Sequence, residues 1–214
     1  MALYDCSHEI ESGSWTYPGD PAVSLSPHAA HGENGYRVTA VELGSHAGTH
    51  VDAPSHTEEE GATLGAFPAD RFRFDARLVD VRDAGPRDPI PPDAVLDTDA
   101  DLVVFATGWD DHWGTERYVD HPYLAPETAE RCADAGYDVA TDTPSPDQTP
   151  TDAVNGGEPT GAPAHHALLG AGRLVIENLR GLERLTGRFV LHAYPLALDA
   201  DGAPVRAVAE TSER

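Results

Sequence analysis

Four residues of strong metal-ligating type fall within eleven positions, His46, His50, Asp52 and His56, in the segment His46-Ala-Gly-Thr-His50-Val-Asp52-Ala-Pro-Ser-His56. All four occupy even positions, and side chains two apart on an extended strand share a face. At a rise of ~3.3 Å per residue, His50 and Asp52 stand ~7 Å apart at Cα and can reach one ion. His46 and His56 would be ~33 Å apart in a straight strand, too far to share a site. The chain must therefore bend, and Gly48 and Pro54 are the residues that permit or impose bends. Asp52 is the natural bridge between two ions, because a carboxylate has two oxygens where a neutral imidazole offers one lone pair. Thr49, beside His50, is placed to hydrogen-bond backbone or ligand. Imidazole and carboxylate donors suit Zn²⁺, and Mn²⁺ is compatible. Such ions bring the pKa of a bound water from near 16 toward about 7, which is hydrolytic chemistry.

Rival chemistries find little support. No Gly-x-Ser-x-Gly elbow occurs, and Gly44-Ser45-His46 is not one. Gly156-Gly157 lacks the Lys and flanking strand of a phosphate-cradling loop. Cys6 and Cys132 form no Cys-x-x-Cys pair and read as free core thiols. His8, His28, His31, His112, His121 and His192 have no comparable spacing and read as surface or supporting residues. Of the three Trp, Trp109 follows a strand ending Ala-Thr107-Gly108 and is the best placed to line a pocket. Asp142 and Asp147 are candidate outer carboxylates, and Glu58-Glu59-Glu60 reads as a solvated loop.

Charge narrows the partners. Thirty-seven acidic residues against 14 basic ones, all Arg, give a formal net charge of −23. Nucleic acid and anionic membrane both need a basic patch, so neither is an expected partner. The balance suits high salt, where a Debye length of ~3 Å at molar ionic strength screens carboxylate repulsion. There is no run of about 20 apolar residues and no basic-then-apolar leader, so a cytoplasmic protein is expected.

The elements that must position these residues are mostly strands. Arg37–Leu43 alternates, and 77–82, 101–107, 174–177 and 189–194 are short apolar runs bounded by turn signals. Helices are expected over 126–135, opened by Pro and closed by Gly136, and in shorter form over 92–96 and 164–169. The Thr-, Pro-, Asp- and Gly-rich stretch from 141 to 163 reads as a long active-site loop rather than a linker. The sum is a mixed α/β or α+β fold, richer in strand than helix, with residues 1–214 as one domain.

The pattern His-x-Gly-Thr-His-x-Asp-x-Pro-x-His resembles the signature of the metal-dependent cyclase family, which includes the bacterial kynurenine formamidases. Tyr17-Pro-Gly-Asp20, Thr141-Asp-Thr-Pro-Ser145 and Pro204-Val-Arg-Ala-Val208 resemble further family elements. The resemblance implies a swivelling β/β/α-type fold, a homodimer or higher homo-oligomer, and a small-molecule amide as substrate, N-formylkynurenine first. It implies one ion on His46, His50 and Asp52. A second would be shared by Asp52, His165 and Glu177; the last two stand twelve positions apart, within Ala-His-x-x-Leu-Leu-Gly and Val-Ile-Glu-Asn. His166 is the rival to His165. His56 resembles the family's proton-transfer residue and Tyr17 its aromatic substrate contact. Where the formamidases tend to carry Trp and Phe, this chain has Tyr17 and Thr57, which opens the alternative of another cyclic or aryl amide or lactone. A third possibility is a metal-binding protein without turnover. Five protein ligands for two ions leave open positions, which favours catalysis.

Overall fold

A computed structural model describes residues 1–151 and 160–212. Its strands are β1 (Ala2–Asp5), β2 (Ser24–Ala29), β3 (Val38–Glu42), β4 (His50–Asp52), β5 (Arg73–Asp80), β6 (Pro89–Ile90), β7 (Leu102–Ala106), β8 (Tyr123–Leu124), β9 (Asp138–Thr141), β10 (Val175–Glu177), β11 (Arg188–Pro195) and β12 (Gly202–Thr211). Three helices, α1 (His31–Asn34), α2 (Pro126–Ala135) and α3 (Pro163–Gly170), complete the elements used below.

Eight strands form one sheet in the order β1-β12-β11-β5-β7-β9-β10-β4, and β4 also pairs with β12. That extra pairing closes every strand but β1 into a barrel-like ring. Closure depends on β12, which uses Gly202–Pro204 against β4 and Val208–Thr211 against β1 along the same edge. The centre of the sheet, β5-β7-β9-β10, is parallel. Of these, β7, β9 and β10 are covered on both faces, and β7, Leu-Val-Val-Phe-Ala, is accordingly buried throughout. Leu102 and Val104 join Phe74, Leu191 and Ala207 inside the ring, while Val103 and Phe105 pack outward under Ala129, Cys132, Leu168 and Leu169 of the helices.

The mixed, strand-rich architecture matches the expectation. Helix α2 spans the predicted residues and ends at Gly136 in the left-handed conformation, φ 81°. Three details differ. Strand β5 starts at Arg73, four residues before the apolar run, because Phe74 and Ala76 point inward between the charged Arg73, Asp75 and Arg77. The alternating stretch around β3 does not half-bury a face: all its residues are exposed, in a hairpin with β2. The helix expected over 92–96 is a single 3-10 turn, Pro92–Ala94. Of the stretch read as a long loop, residues 142–149 lie buried against the barrel, whereas 152–159, with Gly156-Gly157, fall outside the described residues. Among the described residues no helix is long and apolar enough to cross a membrane.

Candidate metal centre

The expected bends are present. Gly48 has φ +66°, and a Cβ there would also lie 3.0 Å from Ile10 Cγ1, so only glycine fits without strain. Pro54 opens a 3-10 turn, Pro54–His56. Between them β4 is extended. Val51 points into the inner core with Ile176 of β10, so by alternation His50 and Asp52 share the opposite face. Glu177 pairs directly with His50 across the β4–β10 ladder and joins them there. Helix α3 covers that face and contributes His165, which is buried. His166, one position on, points away and bonds Glu58 on the surface at 2.9 Å. The structure thus brings together His46, His50, Asp52, His165, Glu177 and His56 and leaves His166 outside.

Distances in the cluster are short. Asp52 Oδ1 lies 2.7 Å from His46 Nδ1 and 3.3 Å from His50 Nε2. Asp52 Oδ2 lies 3.7 Å from His165 Nε2. Glu177 stands 3.1 Å from His50 Nε2 and 3.2 Å from His165 Nε2. Three groups of ligand atoms result: His46/His50/Asp52 and Asp52/His165/Glu177, with Asp52 common to both, and a more exposed His46/His56/Asp201.

Whether the residues fit metal ions can be judged from their unmet bonding. His50 Nε2, Asp52 Oδ2 and Glu177 Oε1 are buried with no hydrogen-bond partner, and all three lie in this cluster. Orphaned buried polar atoms are costly, and two carboxylates buried side by side more so. Divalent cations at the two triads would satisfy both demands. The opposite ring nitrogens are already held: His50 Nδ1 donates to Gly48 O at 2.9 Å, His165 Nδ1 bonds Asp147 Oδ2 at 2.7 Å, and His46 Nε2 bonds Asp201 Oδ2 at 2.9 Å. Each imidazole is thereby fixed with one nitrogen outward and the other toward the cluster, the arrangement in which histidine binds metal.

Without metal, protons take the place of cations. Burial alone would push the His50 ring down, but Asp52 and Glu177 hold it well above its ordinary value, and His165 behaves likewise beside Asp147, Asp52 and Glu177. Burial opposes ionisation of Asp52, and the neighbouring histidines nonetheless hold its carboxyl well below the usual range. His56 differs: burial pushes it below its ordinary value despite the pull of Asp52, so it is neutral near pH 7. Its ring centroid is 4.1 Å from that of His46, and its Nδ1 is 3.4 Å from Asp201 Oδ2.

Several residues here escaped the sequence. Asp201 touches both His46 and His56 and was hidden among 37 acids. Gly202 follows it: a Cβ there would lie 2.8 Å from His46 Cε1, so its missing side chain makes room for the ring. Asn178 adopts φ 57° and donates from Nδ2 to Gly48 O at 2.9 Å, tying the residue after Glu177 to the bend before His50. Of the two candidate outer carboxylates, Asp147 touches the cluster, whereas Asp142 accepts the backbone N–H groups of Thr107 and Gly108. Thr49 bonds backbone, donating to Asn178 O at 2.6 Å and accepting from His8 N at 2.9 Å.

A cavity of about 610 Å³ opens onto the cluster and is lined also by Trp15, Tyr17, Asp20, Gln148 and Ala162. Trp15 is the tryptophan in it; Trp109, favoured by its position after β7, is buried and donates to Tyr118 O at 3.2 Å.

Comparison with known proteins adds an independent line. Residues 4–148 match the family model described as "Putative cyclase". The chain is 36% identical over 219 residues to a kynurenine formamidase of Salinibacter ruber, covering 97% of each. It is 31% identical to a kynurenine formamidase of Paracidovorax citrulli, covering 98% of this chain and 96% of that one. Among solved structures, isatin hydrolase A from Labrenzia aggregata, bound to benzyl benzoate, superposes with a TM-score of 0.85 at 22% identity, over 99% of this chain and 94% of that one. A "Potential Metal-Dependent Hydrolase With Cyclase Activity" superposes with a TM-score of 0.79 at 26% identity, over 100% and 99%.

Proposed function

Since the chain belongs to the cyclase family, we propose that it is a metal-dependent hydrolase of carbon–nitrogen amide bonds whose substrate is N-formylkynurenine, cleaved to kynurenine and formate. The observation that carries this is the cluster of three histidines and two carboxylates in which His50 Nε2, Asp52 Oδ2 and Glu177 Oε1 are buried without partners. His46, His50 and Asp52 would hold one divalent ion, and Asp52, His165 and Glu177 a second, as Zn²⁺ or Mn²⁺. When bound, such ions supply Lewis acidity and make water acidic enough to attack an amide near neutral pH.

The chain's own residues do the rest. His56 is neutral near pH 7, so it can take the proton from the attacking water and return it to the departing nitrogen. Asp201 holds Nδ1 of that ring and leaves Nε2 to meet the reacting atoms. Trp15 and Tyr17 line the cavity where an aryl group would lie. We read residues 1–214 as one catalytic domain, acting in the cytoplasm at high salt as a homodimer or higher homo-oligomer. The acidic surface, −23 in formal charge, supports the high-salt setting.

Turnover tests it. Metal-loaded protein in molar salt should release formate from N-formylkynurenine, faster than from simple aryl formamides and faster than it opens isatin. Preference for isatin would move the assignment to lactam hydrolysis on the same centre. No turnover of any amide would sink the hydrolase reading.

A further inference from the structure

Residues 141–149 are buried, and nearly every polar side chain among them has its partner. The hydroxyls of Thr141 and Thr143 bond each other at 2.8 Å, and Asp142 accepts the backbone N–H groups of Thr107 and Gly108. Ser145 Oγ accepts from Asp147 N at 3.1 Å, Asp147 holds His165 and the first turn of α3, and Thr149 Oγ1 lies 2.9 Å from His121 Nε2. Gln148 is the exception. It is only 7% exposed, and its Oε1 is buried with no hydrogen-bond partner. Outside the metal cluster, the other buried side-chain atoms without partners among the described residues belong to His8 and Ser55. Neither of those residues lines the cavity that opens onto the cluster, and Gln148 does.

The support behind Gln148 is fixed. Pro146 O accepts from Leu124 N at 2.8 Å, and Thr149 O accepts from Arg87 Nη1 at 3.1 Å, so the backbone is tied down on both sides. A buried polar atom left unmet is costly, and a rigid support gives it no route to a partner within the chain. A carbonyl oxygen only accepts, so what meets it must be a donor. The surroundings favour an N–H over an anion's hydroxyl. Asp20 lies at the exposed rim of the same cavity, and among the described residues lining it there is no Arg to receive an anion.

We propose that Gln148 is a specificity-determining residue: its carboxamide oxygen accepts a hydrogen bond from a substrate N–H, and the site thereby selects amides that carry such a donor over those that offer only acceptors there. This rests on the amidohydrolase reading of the site and sharpens its substrate class. Selection comes from rejection as much as from attraction. A ligand without the donor leaves Oε1 buried and unpaired in the complex as it is in the free protein.

Two measurements test it, and neither needs turnover. Calorimetric binding to metal-loaded protein in molar salt compares L-kynurenine with one analogue lacking its α-amino group and another lacking its ring amino group. The wild type should bind L-kynurenine roughly tenfold more tightly than one of the two, the effect of one hydrogen bond, and that analogue identifies the N–H used. Gln148→Met, which keeps the length of the side chain without the oxygen, should remove most of that difference. Equal binding of all three by the wild type, a difference that Gln148→Met leaves intact, or no binding of any overturns the inference. Thermal unfolding of the ligand-free proteins separates recognition from a role in folding. Gln148→Met removes an unmet polar atom, so its Tm should equal or exceed that of the wild type; a clearly lower Tm would assign the carboxamide to structure and overturn the inference. If binding and Tm behave as stated but no amide is cleaved, it is the hydrolase reading that fails.

Discussion

At the scale of single residues, the proposed centre divides labour between groups placed to hold ions and groups that hold those groups. His56 has no place in either triad that shares Asp52, so His56→Ala should lower kcat by about a hundredfold or more while metal content stays near that of the wild type. A variant stripped of metal would instead make His56 a ligand. Asp201 contacts His46 and His56 through one oxygen, Oδ2. Asp201→Asn keeps the shape but cannot accept two ring N–H groups as strongly; activity should fall by about 10- to 100-fold, with proton transfer affected more than KM. Unchanged kcat would show that the contact is incidental. Gly202→Ala should push the His46 ring aside and weaken metal binding, seen as a higher free-metal concentration for half-maximal activity.

At the scale of elements, the site is a meeting of β4, β10 and the start of α3, fastened by Asp147. That carboxylate accepts from the backbone N–H of Ala164 at 2.7 Å and of His165 at 3.0 Å while also holding the His165 ring. Asp147→Ala should therefore do two things together: cost about 1 kcal/mol in stability through the lost cap and weaken metal binding by about tenfold. Loss of stability with unaltered metal affinity would count against the coupling. Much of this arrangement was legible beforehand. The even spacing of His50 and Asp52 signalled one strand face, Gly48 and Pro54 marked the bends, and the Pro-to-Gly run of α2 fixed its limits. What was hidden has a common cause. Asp201, Gly202 and Asn178 act through tertiary proximity and carry no local pattern, and in so acidic a chain an Asp is weak evidence of anything. The alternation over 37–43 marked β3 as a strand, but alternation does not report what covers it, and its exposed hairpin with β2 was not legible. Trp109 misled because position after a strand is a coarse guide to which wall of a cavity a side chain joins.

At the scale of the whole molecule, charge and buried histidines set opposite dependences. A formal charge of −23 on 214 residues means strong self-repulsion, relieved as salt shortens the Debye length. Thermal unfolding followed by circular dichroism should show a higher Tm in molar salt than at low ionic strength, and equal values would contradict the high-salt assignment. Acid acts otherwise. Burial pushes His121 down to about 4, below the ordinary value of an unfolded chain near 6.5. Between those values the unfolded chain binds the extra proton, so the stabilisation due to neutral His121 is fully present above about pH 6.5 and is lost as pH falls toward 4. The Tm advantage of the wild type over His121→Gln should shrink through that window, and a constant gap would contradict the assignment.

The central claim is that Asp52 joins two metal sites on one side of the barrel. Elemental analysis of purified protein loaded with Zn²⁺ or Mn²⁺ and then desalted tests it most directly. The wild type should retain about two ions per chain, one for each triad, and Asp52→Ala should lose both along with activity. Full metal content in Asp52→Ala, or a wild type that keeps no metal, would contradict it.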